Sequence, residues 1–179
     1  MIIFHDVIQG TEEWLALRKK LWTGSKAIRL LQGKPFKEDA EWGGNKYTMR
    51  GHALEIAAIR EYERNYGRKV SRPGFVTNTV YTNAGYSPDG LDGGWLLECK
   101  AFNGERHEEL VRGEIPLAVV VQILFGMIIT GKRKARLLAI NPDDVKNPFV
   151  VIEVVYDKRI GNNIRKKLRA DMKNRLTTL

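Results

Sequence analysis

Trp95-Leu96-Leu97-Glu98-Cys99-Lys100-Ala101 is the stretch on which the fold turns. Apolar residues fill it almost without a break, the pattern of a strand covered on both faces of its sheet. Side chains alternate across a strand, so Glu98 and Lys100 fall on one face. Burying charges is costly unless they are paired or hold a ligand. A metal ion on Glu98 with Lys100 beside it resolves that cost; so does an ion pair on a half-exposed edge strand.

Asp89 precedes Glu98 by nine residues, within Ser87-Pro88-Asp89-Gly90. Alone, that tetrapeptide is a common turn. Its place between two strands lets a hairpin-like return bring Asp89 and Glu98 to one point. With the Cys99 backbone carbonyl they form an all-oxygen donor set, which suits Mg²⁺, or Mn²⁺ as a substitute, rather than zinc.

Outward from this centre the period changes. Thr11 is the expected N-cap of a helix through Lys20, with Trp14, Leu17, Arg18 and Leu21 on one face. Thr23-Gly24-Ser25 breaks it, and Ser25 is placed to cap a short helix over 26–32. Residues 33–45 read as a loop. A helix over 47–66 puts Met49, Leu54, Ala57, Ala58 and Tyr62 on its apolar side, closed by Gly67. Residues 75–86 read as one strand and 95–101 as the next. A helix over 116–130 ends at Gly131, and strands over 135–140 and 149–156 follow. The last helix, from Lys158, carries Lys158, Arg159, Arg165, Lys166, Lys167, Arg169, Lys173 and Arg175 against Asp171. This order implies an α/β fold with the sheet between helices.

The bulk numbers agree. A chain of 179 residues fits one domain, 1–179, and 43% hydrophobic with 28% charged residues is ordinary globular composition. Thirty basic residues against 21 acidic ones give a formal charge of +9. A polyanionic partner follows, nucleic acid before an anionic membrane surface, with plain solubility as the competing explanation. The single cysteine, Cys99, excludes an intrachain disulfide, a cysteine-rich zinc site and an iron–sulfur cluster, and suits a reducing cytoplasm. No signal peptide is expected at the N-terminus. The apolar run over 115–130, interrupted by Gln122, is shorter than a membrane span and reads as a buried helix.

Asp89 followed by Glu98-Cys99-Lys100 resembles the signature of the PD-(D/E)XK nuclease superfamily. Further matches resemble its lambda-exonuclease-type, or YqaJ-type viral recombinase, branch. These are, in order, Trp14 and Arg18; Thr23-Gly24-Ser25; Gly51-His52-Ala53-Leu54-Glu55; Ser87-Pro88-Asp89-Gly90; Glu98-Cys99-Lys100; and Gln122 with Gly131. Leu124 stands where that branch often has a second glutamine.

The resemblance implies a restriction-endonuclease-like core, a central mixed β-sheet flanked by helices. It implies a metal-dependent 5′→3′ exodeoxyribonuclease on double-stranded DNA ends, leaving 3′ single strands for phage-type recombination. Asp89, Glu98, the Cys99 carbonyl and Glu55 would hold Mg²⁺, with Lys100 orienting or helping to deprotonate the attacking water. Arg18, Ser25, Ser87 and Gln122 would grip the 5′-phosphate, and His52 would be only a neighbour of Glu55. The basic last helix would track the DNA backbone. The four tryptophans, Trp14, Trp22, Trp42 and Trp95, are expected mostly in the core, although Trp42 could stack on a frayed base. The implied partners are a single-strand annealing protein and further copies of the chain in a ring-like homotrimer; the implied location is the cytoplasm of a phage host. Two other readings stay open: a structure- or sequence-selective endonuclease on the same core, and an inactive DNA-binding module.

Overall fold

The structure, a computed structural model, describes residues 1–38 and 46–177. Trp42 and the side chain of Met49 lie outside what is described.

The decisive heptapeptide forms β5, Trp95–Lys100. It is an inner strand of a four-stranded sheet ordered β4 (Gly90–Asp92), β5, β6 (Lys134–Ile140), β7 (Phe149–Val154). The β5–β6 pair is parallel and the other two are antiparallel, so the sheet is mixed. A parallel neighbour needs a long crossover. Here α4 (Glu105–Val111) and α5 (Leu117–Thr130) make it. Alternation along β5 then sorts the layers. Leu96 packs with α5 residues such as Val121, Phe125 and Ile129 on one face. Leu97 packs with Ala58, Ile59 and Tyr62 of α3 (Lys46–Tyr66) on the other. The edge-strand alternative for residues 95–101 is thereby excluded.

A second sheet, β1 (Ile2–His5), β2 (Phe75–Asn78) and β3 (Tyr81–Tyr86), is antiparallel throughout. It corrects the expectation of one strand over 75–86. The Asn78 side chain accepts from the Val80 N–H at 2.8 Å, which turns the chain back on itself between β2 and β3. Strand β1 and helix α4 had no counterpart in the sequence reading; at 4 and 7 residues they are too short to display a period.

Helix ends mostly follow their signals. Thr11 caps α1 (Glu12–Arg18) by accepting from the Trp14 N–H at 3.4 Å. Gly67 and Gly131, at φ +60° and +68°, close α3 and α5 in the left-handed conformation that glycine adopts without strain. Ser25 is a correction. It lies inside a 3-10 turn, Gly24–Lys26, and α2 (Ala27–Leu31) has no side-chain cap. The last helix, α6 (Lys158–Thr177), buries Gly161, Ile164 and Leu168 and leaves Lys158, Arg159, Lys166, Arg169 and Lys173 exposed. No helix among the described residues is long and apolar enough to cross a membrane.

Candidate active site

At the C-terminal end of β5 the two layers part around a cavity of about 700 Å³, lined by Asp89, Glu98, Cys99, Lys100, Glu55, His52 and Gln122, with Trp14 and Gln9 in its wall. Four chain segments supply its charged groups and Gln122. Asp89 comes from the link between β3 and β4, Glu98 to Lys100 from β5, Glu55 from α3 and Gln122 from α5. Asp89 is fixed by the backbone, since the Cys99 N–H donates to its Oδ2 at 2.6 Å. That bond joins the turn to the neighbouring strand, as the hairpin-like return required.

Glu98 is only 2% exposed, and its charge is fully engaged. Lys100 Nζ and Gln122 Nε2 each donate to Oε1 at 2.5 Å, and the Tyr86 hydroxyl donates to Oε2. Glu55 is held by Arg72, whose guanidinium pairs with Oε1 and also donates through Nε to the Asp89 carbonyl at 3.1 Å. His52 stands 3.8 Å from Glu55, exposed, in the neighbouring place expected of it.

The electrostatics are uneven. Burial pushes the Asp89 carboxyl well above the usual aspartate range, and the Glu98 and Glu55 carboxylates push the same way; Lys100 and the Cys99 N–H oppose them. For Lys100, burial would lower the ammonium, but Glu98 and Asp89 outweigh it and the net shift is upward. Burial and nearby carboxylates also raise Tyr86, which therefore remains a neutral donor, and Cys99, which keeps its thiol protonated.

Three carboxylates on one cavity, one of them resisting ionisation, form a hard-oxygen set in need of positive charge; their chemistry fits a divalent cation. Among the described residues no three His, Cys, Asp or Glu side chains stand as a ready-made ligand set. Glu55 is drawn toward Arg72 and Glu98 is occupied by its three donors.

Of the four residues assigned to a 5′-phosphate, only Gln122 lines the cavity, and it contacts Glu98. Two of the others, Ser87 and Arg18, touch Trp14 in the cavity wall. The Trp14 indole N–H donates to Ser87 Oγ at 2.9 Å, and the Arg18 guanidinium lies 4.1 Å from the Trp14 ring centre. Ser25 is exposed and bonded to Thr23 at 3.2 Å. Trp22 is buried in the core, while Trp95 is half-buried beneath Arg136 at 3.9 Å.

Sequence reasoning missed Tyr86 and Arg72. Tyr86 had a usable signal, because a buried tyrosine needs a hydrogen-bond partner and this one adjoins Ser87-Pro88-Asp89. Arg72, in an irregular segment between Gly67 and β2, had none.

The YqaJ-like viral recombinase domain pattern matches residues 38–133, more than half of the chain. Among solved structures, an alkaline exonuclease of Laribacter hongkongensis, LHK-Exo, is 24% identical, with 92% of each chain covered and a TM-score of 0.73. The same exonuclease in complex with dAMP gives 22% identity, the same coverage and a TM-score of 0.77. A phage-related exonuclease from Haemophilus somnus 129PT is 14% identical over 95% of this chain and 93% of its own, at a TM-score of 0.57. No curated protein matches. The likenesses to LHK-Exo extend over 92% of the chain and show a shared fold, a mixed sheet with flanking helices.

Proposed function

We propose that this chain, which belongs to the YqaJ-like viral recombinase domain family, acts as a single domain that degrades double-stranded DNA from its ends in the 5′→3′ direction. The reading has it hydrolyse phosphodiester bonds with Mg²⁺ and leave 3′ single strands for recombination. The observation that carries it is the meeting of Asp89, Glu98, Glu55 and Lys100 around one open cavity. The LHK-Exo complex with dAMP holds a deoxynucleoside monophosphate, the product class this reading assigns.

Bound among Asp89, Glu98, Glu55 and the Cys99 carbonyl, a divalent cation would supply charge neutralisation at the scissile phosphate and acidify a water molecule. The rest falls to the chain. Lys100, paired with Glu98 at 2.5 Å, offsets charge developing on the phosphate and orients the attacking water through its N–H donors. Gln122 keeps Glu98 Oε1 directed into the cavity. Arg18, with a rigid guanidinium stacked on Trp14, and the neighbouring Ser87 are the groups best matched to a terminal phosphate. The exposed cations of α6 would hold the duplex backbone.

The test uses linear duplex with 5′-phosphates, linear duplex without them, and closed circular DNA, each with Mg²⁺ and with chelator. Metal-dependent loss of the phosphorylated linear DNA alone is the expected result. Cleavage of the closed circle would replace this reading with an endonuclease, and no cleavage of any substrate would leave a binding module.

A further inference from the structure

Tyr86 belongs to none of the motifs that mark the site, yet the core is shaped around it. Its side chain is 1% exposed, and its hydroxyl donates to Glu98 Oε2. Two glycines from distant elements make room for the ring. A Cβ on Gly24 would stand 2.6 Å from Tyr86 Cε2, and one on Gly126 would stand 2.5 Å from Cζ. Gly24 is the centre of Thr23-Gly24-Ser25, and Gly126 lies one turn beyond Gln122 on α5. The ring is thus held from two sides with its hydroxyl aimed at one oxygen of one carboxylate. The other oxygen, Oε1, is the one that Lys100 and Gln122 reach.

We infer that Tyr86 is a positioning residue for the reaction: by occupying Oε2 it fixes the rotation of the Glu98 carboxylate and turns Oε1 toward Lys100 and Gln122 on the cavity side. This deepens the proposed nuclease reading and rests on it. A carboxylate at the end of a side chain has a soft terminal torsion. A buried O–H bonded to one oxygen removes that freedom before any ligand arrives, the usual role of outer groups around a metal site. It also gives Thr23-Gly24-Ser25 a part in the site apart from phosphate binding, since only a residue without a side chain at 24 lets the ring approach.

The experiment compares wild type with Tyr86→Phe, which keeps the ring and deletes only the hydroxyl. Three readouts are taken: Mn²⁺ affinity by calorimetry, DNA affinity in chelator, and steady-state cleavage with Mg²⁺. Weakening of Mn²⁺ binding by roughly 10- to 100-fold, with kcat reduced and DNA affinity in chelator unchanged, is the expected pattern. Glu98→Gln and the double variant complete a cycle; if Tyr86 acts through Glu98, Y86F adds no further loss to E98Q. Equal Mn²⁺ affinity and kcat in Y86F and wild type would overturn the inference while leaving the nuclease reading intact. So would additive losses in the cycle, or a fall in metal and DNA affinity together, which marks general damage to the fold. Wild type that neither binds Mn²⁺ nor cleaves DNA would remove both readings at once.

Discussion

Replacing Gly126 with alanine tests whether the core and the site are one construction. On helix propensity alone the change is favourable, because alanine in a helix interior is better than glycine by about 0.8–1.0 kcal/mol. Packing opposes it. The new methyl would stand 2.5 and 2.7 Å from two atoms of the Tyr86 ring and 2.8 Å from Leu96 Cδ2. Ordinary contact begins near ~3.5 Å, so about 1 Å of movement is needed. The ring has little room to retreat, because Gly24 closes on its Cε2 atom and Tyr86 is fully buried. Overpacking of this kind costs about 1–3 kcal/mol, and a confined ring puts it at the upper end. The net is a loss of about 2 kcal/mol. For a chain of this length each kcal/mol moves the melting temperature by about 2–4 °C, so a fall of about 4–8 °C is expected. The control is Gly51→Ala. Gly51 is also helical, but no described atom lies within 4 Å of its would-be Cβ, so propensity wins and melting should rise slightly. Calorimetric melting of both variants in chelator is the assay. A G126A protein that melts at or above wild type would refute the claim that α5 carries glycine there to seat Tyr86.

Three further outcomes are expected. Lys100→Ala should lower kcat on the order of 10²–10³-fold with DNA affinity in chelator unchanged, and normal degradation by this variant would remove the assigned site. For Asp89 the native carboxyl holds its proton to higher pH than the unfolded chain, whose value lies near ~3.9. The native state therefore binds the extra proton between those two values, and metal-free stability falls as pH rises through that window. The urea midpoint of wild type should fall relative to that of Asp89→Asn across it, and a constant difference from pH 4 upward would be the wrong result. On α6, Lys166→Ala and Arg169→Ala should each reduce the slope of log affinity against log salt by about 1; unchanged slopes would take α6 off the DNA surface.

What could be read in advance depended on how local its cause was. The inner strand over 95–100, the cap at Thr11 and the glycine stops at 67 and 131 follow from alternation, side-chain reach and allowed φ, all of which neighbours in sequence decide. The pairing of the Ser87-to-Gly90 turn with β5 was legible because only a short link separates them. The break at Asn78 was not, since one asparagine bonding two residues ahead leaves the apolar pattern of 75–86 untouched. Glu55 was assigned to the cavity by the family resemblance alone, and its partner Arg72 comes from an aperiodic segment that only the fold brings there. The same is true of Tyr86, whose role depends on glycines 62 residues before it and 40 after it.

The carboxylate most in need of a cation is not the one inside the apolar strand. From sequence, a charged Glu98 inside an apolar strand called for either a metal ion or an ion pair. In the fold that demand is met by Tyr86, Gln122 and Lys100, three donors on one carboxylate. A buried carboxylate so satisfied is stable without a ligand. The unmet need lies at Asp89, whose carboxylate has one donor among the described residues, the Cys99 N–H, and carries the repulsion of Glu98 and Glu55. Two consequences separate the residues. Cation binding should relieve repulsion mainly at Asp89, so D89N should lose most of the rise in melting temperature that Mn²⁺ gives wild type, while its metal-free form melts no lower. Glu98→Gln should be destabilised even without metal, because an amide nitrogen would face donors from Lys100, Gln122 or Tyr86 in place of an acceptor. If E98Q is as stable as wild type in chelator, or if Mn²⁺ still raises the melting of D89N in full, the division of labour between the two carboxylates is wrong.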